Sequence, residues 1–130
     1  MQRSKRTKVL ILGLERGLRD ELKSAFHEDD QTVRATEETE NEDCYGEIAR
    51  HKPDIVFCPA SPSRFKRTLE AAKRLRPWLP VVVVSRFPEV SEWLDAMDAG
   101  ASDYCASPFE PAQVRWILES NLPRHYAAVA

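Results

Sequence analysis

With 130 residues, the chain is long enough for one domain with a true core. Apolar residues make up 42% and charged residues 31%, the balance of a soluble globular domain, and a net charge of −2 excludes a general pull toward nucleic acid or membrane. No apolar run nears the roughly 20 residues of a membrane span, and the basic start has no signal-peptide core behind it, so a cytoplasmic location is expected. Cys44, Cys58 and Cys105 are odd in number and widely spaced, which does not suit a disulfide framework or a metal site.

Lys8 to Gly13 holds a short apolar run bounded by charge and glycine, the pattern of a strand covered on both faces. Leu14, Leu18, Leu22 and Phe26 recur every four residues and predict one stripe of an amphipathic helix that stops in the acidic turn at Glu28, Asp29 and Asp30. Gln31 to Ala35 reads as a weaker strand near a sheet edge. A short helix is expected over about Asp43 to His51, then a buried strand from Ile55 to Cys58. Pro59 and Pro62 make a loop. Phe65, Leu69, Ala72 and Leu75 mark the next helix, ended by Pro77 and Pro80. Val81 to Ser85 is the strongest strand signal, because four consecutive β-branched residues disfavour helix and suit burial on both faces. Val90, Leu94 and Met97 mark a helix closed by Gly100, Ser102 to Cys105 a last strand, and Pro111 the first turn of a final helix through Leu122.

Strands and helices that alternate in this way build an α/β fold: a three-layer, doubly wound parallel sheet with right-handed crossovers. Residues 8–122 form the domain, 1–7 a basic extension and 123–130 a tail. In such sheets a site forms beyond the carboxyl ends of the strands, which directs attention to the residues after Leu12, Cys58, Val84 and Cys105.

Four stretches at those ends resemble the response-regulator receiver (CheY-like) domains of two-component signalling. They are Lys8-Val-Leu-Ile-Leu, Pro53-Asp-Ile-Val-Phe-Cys, Pro80-Val-Val-Val-Val-Ser, and Ala99-Gly-Ala-Ser-Asp-Tyr followed by Ser107-Pro-Phe. The resemblance covers nearly the whole domain and implies a flavodoxin-like (β/α)5 sheet with strand order 2-1-3-4-5. It also implies a pocket with two acidic residues after the first strand, a phosphate-accepting aspartate after the third, a hydroxyl after the fourth and a lysine after the fifth. Position by position, the acidic pair falls on Gly13 and Leu14, the acceptor on Pro59 and the lysine on Ser107; Ser85 alone is retained. Proline offers no carboxylate nucleophile. Magnesium prefers hard oxygen ligands; Gly13 and Leu14 supply none from their side chains, Ser61 at most a hydroxyl or carbonyl, and Glu15 a single carboxylate. Arg86 stands where the family tends to have a small residue, and either points to solvent or takes over the cationic role.

These departures lead to the expectation of a pseudo-receiver. It is not an enzyme, has no catalytic residue, cofactor or metal, is not phosphorylated on aspartate, and acts through protein partners. The alternative is a regulatory module that binds a small molecule or anion in the vacated pocket through Ser85, Arg86 and Ser107. Trp93, Tyr104 and Trp116 are the candidate interface and switch residues, and a homodimer through the fourth and fifth helices is possible. Tyr104 matches the family's switch aromatic; without phosphorylation a fixed rotamer is expected. The acidic run Glu37, Glu38, Glu40, Glu42 and Asp43 reads as a solvated loop. Arg64, Lys66, Arg67, Lys73, Arg74 and Arg76 form a basic helix and its end without a nucleic-acid reading motif, so nucleic acid is an unlikely partner. His27, His51 and His125 are scattered, and no nucleophile–base pair is visible.

Overall fold

The computed structural model describes residues 6–26, 30–39 and 43–122. Glu28, Asp29, Glu40, Glu42, His27, His125, most of the 1–7 extension and the 123–130 tail lie outside the described residues. Five strands, β1 (Thr7–Ile11), β2 (Gln31–Ala35), β3 (Ile55–Pro59), β4 (Val81–Ser85) and β5 (Asp103–Ala106), form one parallel sheet in the order β2-β1-β3-β4-β5. Between and after them run α1 (Arg16–Lys23), α2 (Cys44–His51), α3 (Pro62–Leu75), α4 (Val90–Asp98) and α5 (Pro111–Asn121). The expected architecture and strand order are both present.

Side chains alternate across a strand, so each central strand feeds two cores. Val9, Ile11, Phe57, Val82 and Val84 pack with Leu18 and Leu22 of α1 and with Val114, Ile117 and Leu118 of α5. Leu10, Leu12, Val56, Cys58, Val81 and Val83 pack on the other side with Ile48 of α2, Phe65 of α3 and Ala96 of α4. All four consecutive valines of β4 are therefore buried, each contributing on the order of 1.5–3 kcal/mol. Phe57 meets Phe26 edge to face, with ring centroids 5.5 Å apart. β2 alternates between half-buried and exposed positions, as an edge strand does.

Pro59 ends β3 instead of opening the loop, and at three other places local contacts move a boundary or a face from the sequence expectation. α1 ends at Lys23, before the acidic turn, because Ser24 caps it: its hydroxyl donates to the Glu21 carbonyl, and Ala25 and Phe26 close short turns onto Leu22 and Lys23. β5 begins at Asp103, since the Ser102 hydroxyl is used as an acceptor for the Val81 N–H. The third difference concerns α4. Its apolar residues Val90, Trp93, Leu94 and Met97 are all exposed, and Ala96 is its one buried residue. The helix closes as expected at Gly100, whose φ of 109° suits a residue without a Cβ, and the Ala101 N–H returns to the Ala96 carbonyl.

Candidate functional site

The carboxyl ends of β1, β3, β4 and β5 converge on the cleft that the sequence singled out. Gly13 takes a left-handed φ of 61° after β1. Its N–H donates to the Thr36 hydroxyl at 3.0 Å, and its carbonyl accepts from Arg64 Nη1 at 2.9 Å. Arg64, in the first turn of α3, also donates from Nη2 to the Thr39 carbonyl at 2.6 Å and lies 3.5 Å from a Glu38 carboxylate oxygen. One guanidinium thus ties the loop after β1 to the loop after β2.

Leu14 does not face the cleft. Its side chain is 1% exposed and belongs to the core cluster under α1 and α5. Glu15 caps α1, its Oε1 accepting the Leu18 N–H at 3.2 Å. The same oxygen forms an ion pair with Arg86 across the mouth of the cleft. Pro59 ends β3 half-buried, and Ser61, exposed before α3, has its hydroxyl 3.3 Å from that of Ser63. Ser107 precedes a cis proline, Pro108, and its hydroxyl bridges both carboxylate oxygens of Glu21 on α1, at 2.9 and 2.7 Å.

The donor set does not fit a magnesium ion. Gly13 has no side chain, Leu14 turns into the core, and the nearby Glu15 carboxylate is already shared between a helix cap and Arg86. Among the described residues, no three His, Cys, Asp or Glu side chains gather where they could hold a metal ion. His51 pairs with Glu47 on its own helix at 3.2 Å. The thiols sit in the core; burial, and then the Asp103 charge, push Cys105 up to about 12, which leaves it protonated and inert.

At the β4 end, the buried Ser85 hydroxyl donates to the Phe87 carbonyl at 3.0 Å. Beside it Tyr104 is half-buried, and its hydroxyl donates to Glu92 Oε1 at 2.5 Å. Burial, and next the Glu92 hydrogen bond, raise the phenol above its ordinary 10.0, with Ser85 and the Glu89 backbone pulling the other way. That bond ties α4 to β5. Replacing Tyr104 by Phe is therefore expected to cost about 1 kcal/mol in urea unfolding. Because the folded-state value is raised, the tie is fully present below the unfolded value near 10 and is lost as pH rises past it. The Phe variant should lack that alkaline loss, and identical alkaline curves for the two proteins would contradict this role.

Trp93 on α4 and Trp116 on α5 are 45% and 62% exposed, so each presents a large part of its ring at the surface. Phe87, 75% exposed, extends the apolar surface ahead of α4. Thr36, Arg64, Glu21 and Glu92 complete the cleft and its surroundings; of these the sequence singled out only Arg64, and that as part of a basic helix and not as a cleft residue. Arg64 carried a usable signal, since it lies two residues after the Pro62 that opens a helix at a strand end.

No protein-family model matches the chain. In sequence it is 32% identical over 126 residues to the KDP operon transcriptional regulatory protein KdpE of Escherichia coli; the match takes in 95% of this chain and 55% of that protein, so the chain spans about half the length of this curated relative. In structure it is similar to the receiver domain of NtrX from Brucella abortus, with a TM-score of 0.73 and 21% identity over 88% of this chain and 97% of that one. A CheY-like response regulator receiver domain protein from Methanospirillum hungatei gives a TM-score of 0.71 at 17% identity, over 97% of this chain and all of that one (100%). In sequence the chain is thus similar to part of a transcriptional regulatory protein, and it has the CheY-like fold of response-regulator receiver domains.

Proposed function

We propose that this receiver domain signals through protein–protein contact and does not accept phosphate on an aspartate. The observation that carries the reading is Pro59 at the end of β3, where the resemblance puts the acceptor carboxylate. Support comes from the rest of the cleft: Leu14 is committed to the core, Glu15 is paired with Arg86, and Ser107 is bound to Glu21. In this reading residues 8–122 are the signalling unit, with 1–7 and 123–130 as its extensions, the location is cytoplasmic, and no reaction is catalysed. No helix among the described residues is long and apolar enough to cross a membrane. The docking face is built on α4 and α5, where Trp93 and Trp116 are exposed and Tyr104 anchors the helix between them and the sheet. Interfaces favour such aromatic anchors.

The alternative, an anion held by Ser85, Arg86 and Ser107, has less support, because each of these groups already has a partner within the chain. The test is incubation with magnesium and acetyl phosphate, followed by intact mass. We expect an unmodified protein under conditions that label an ordinary receiver. A stoichiometric, acid-stable but hydroxylamine-labile phosphate adduct would overturn the proposal.

A further inference from the structure

The two helices that flank the sheet on the α2 side carry opposite charge. From Arg64 to Arg86 there are seven Lys and Arg residues and one acid, Glu70. From Phe87 to Val114 there are six acids, Glu89, Glu92, Asp95, Asp98, Asp103 and Glu110, and no Lys, Arg or His. The first block is α3 and β4 with their ends; the second is α4, β5 and the start of α5. Phe65 of α3 and Ala96 of α4 share one core cluster, so the basic and acidic helices are neighbours. The groove between them, about 470 Å3, is lined by Lys66, Leu69, Glu70 and Lys73 of α3, by Leu79, and by Ala99 and Gly100 at the end of α4, so two cations and one acid stand on its α3 side. Lys66 and Lys73 thus lie on the edge of α3 that faces α4. Lys66, Lys73, Asp95 and Asp98 form no ion pair within the chain among the described residues.

Two copies of α4 laid face to face would set an acidic helix with no cation against another. Like charges across an interface disfavour that pairing. A two-fold axis that runs between α3 and α4 avoids it. Such an axis places each acidic α4 over the partner's basic α3, so the complementary contact is made twice. The exposed Val90, Trp93, Leu94 and Met97 then meet the apolar floor of the groove, and the charges form its rim. We propose that a second copy of this chain occupies the α4 face in this way, with Lys66 and Lys73 of each protomer opposite Asp95 and Asp98 of the other. The proposal rests on the reading that α4 is the docking helix, and it names the partner and the pairing.

Charge reversal tests it, because all four positions are on the surface. Sedimentation velocity of the full chain should show a dimer that weakens as salt is raised. The double variant K66E/K73E should dissociate at least tenfold more readily, and D95K/D98K likewise. Mixed together, the two variants should regain a dimer, since each acidic α3 now meets a basic α4 and each basic α3 an acidic α4. A chain monomeric at all concentrations overturns the pairing, as does a dimer indifferent to both reversals. In either case Trp93→Ala separates the two readings. If it abolishes capture of another protein, or that dimer, α4 remains the docking helix and only the pairing fails. If it changes nothing, both readings fail.

Discussion

Leu14→Asp should destabilise the domain by more than about 4 kcal/mol in urea unfolding at pH 7, and it should not create a magnesium site. The estimate combines two costs. Removing a buried leucine side chain costs roughly 2–5 kcal/mol, and a carboxylate put in its place faces an apolar cluster with no partner, worth at least about 1–3 kcal/mol more. Leu14 is 1% exposed and packs in the cluster with Leu18 and Leu22, so there is little room for the charge to reach water without moving α1. Domains of this size are stable by only about 5–15 kcal/mol, so a loss of this size removes from about a quarter to most of the margin. Burial would raise the folded-state value of the new carboxyl above its unfolded one. The deficit should then shrink as pH falls toward the ordinary carboxylate range, where the aspartate is protonated in both states. A variant that unfolds within about 1 kcal/mol of the parent, or that gains stability on adding magnesium, would show that the acidic position is still open to the cleft.

The sheet was legible because its signals are local: Val81 to Val84 cannot be a comfortable helix, and Gly100 and Pro111 punctuate the chain where helices close and open. Gly13, Leu14, Pro59 and Ser107 could be placed at the strand ends for the same reason, since strand order and crossover sense leave few other arrangements. What replaced the missing groups was not legible. Arg86 to Glu15, Ser107 to Glu21 and Arg64 to the Gly13 carbonyl join residues far apart in the chain, and nothing in periodicity says which charge meets which. The direction of the α4 stripe was hidden for a different reason. Val90, Leu94 and Met97 have the spacing of a core-facing helix, and only the packing of Ala96 on the sheet shows that the stripe turns outward.

An apolar stripe turned outward should separate folding from binding. Trp93→Ala combined with Leu94→Ala is expected to lower unfolding free energy by only about 1–2 kcal/mol, because about half of each side chain is already in water and alanine is the best helix former. Binding should suffer far more. A tryptophan buried at the centre of an interface commonly contributes about 2 kcal/mol or more, which is roughly a thirtyfold or greater rise in dissociation constant. The measurement pairs urea unfolding with sedimentation velocity on the same protein. Tyr45→Ala serves as the control, since Tyr45 is also exposed but lies on α2, away from the α4 stripe. The expected pattern is weakened self-association in the α4 variant and none in the control. A large loss of stability would mean that the stripe is packed in solution. Unchanged association would mean that α4 carries its apolar residues outward for some purpose other than docking.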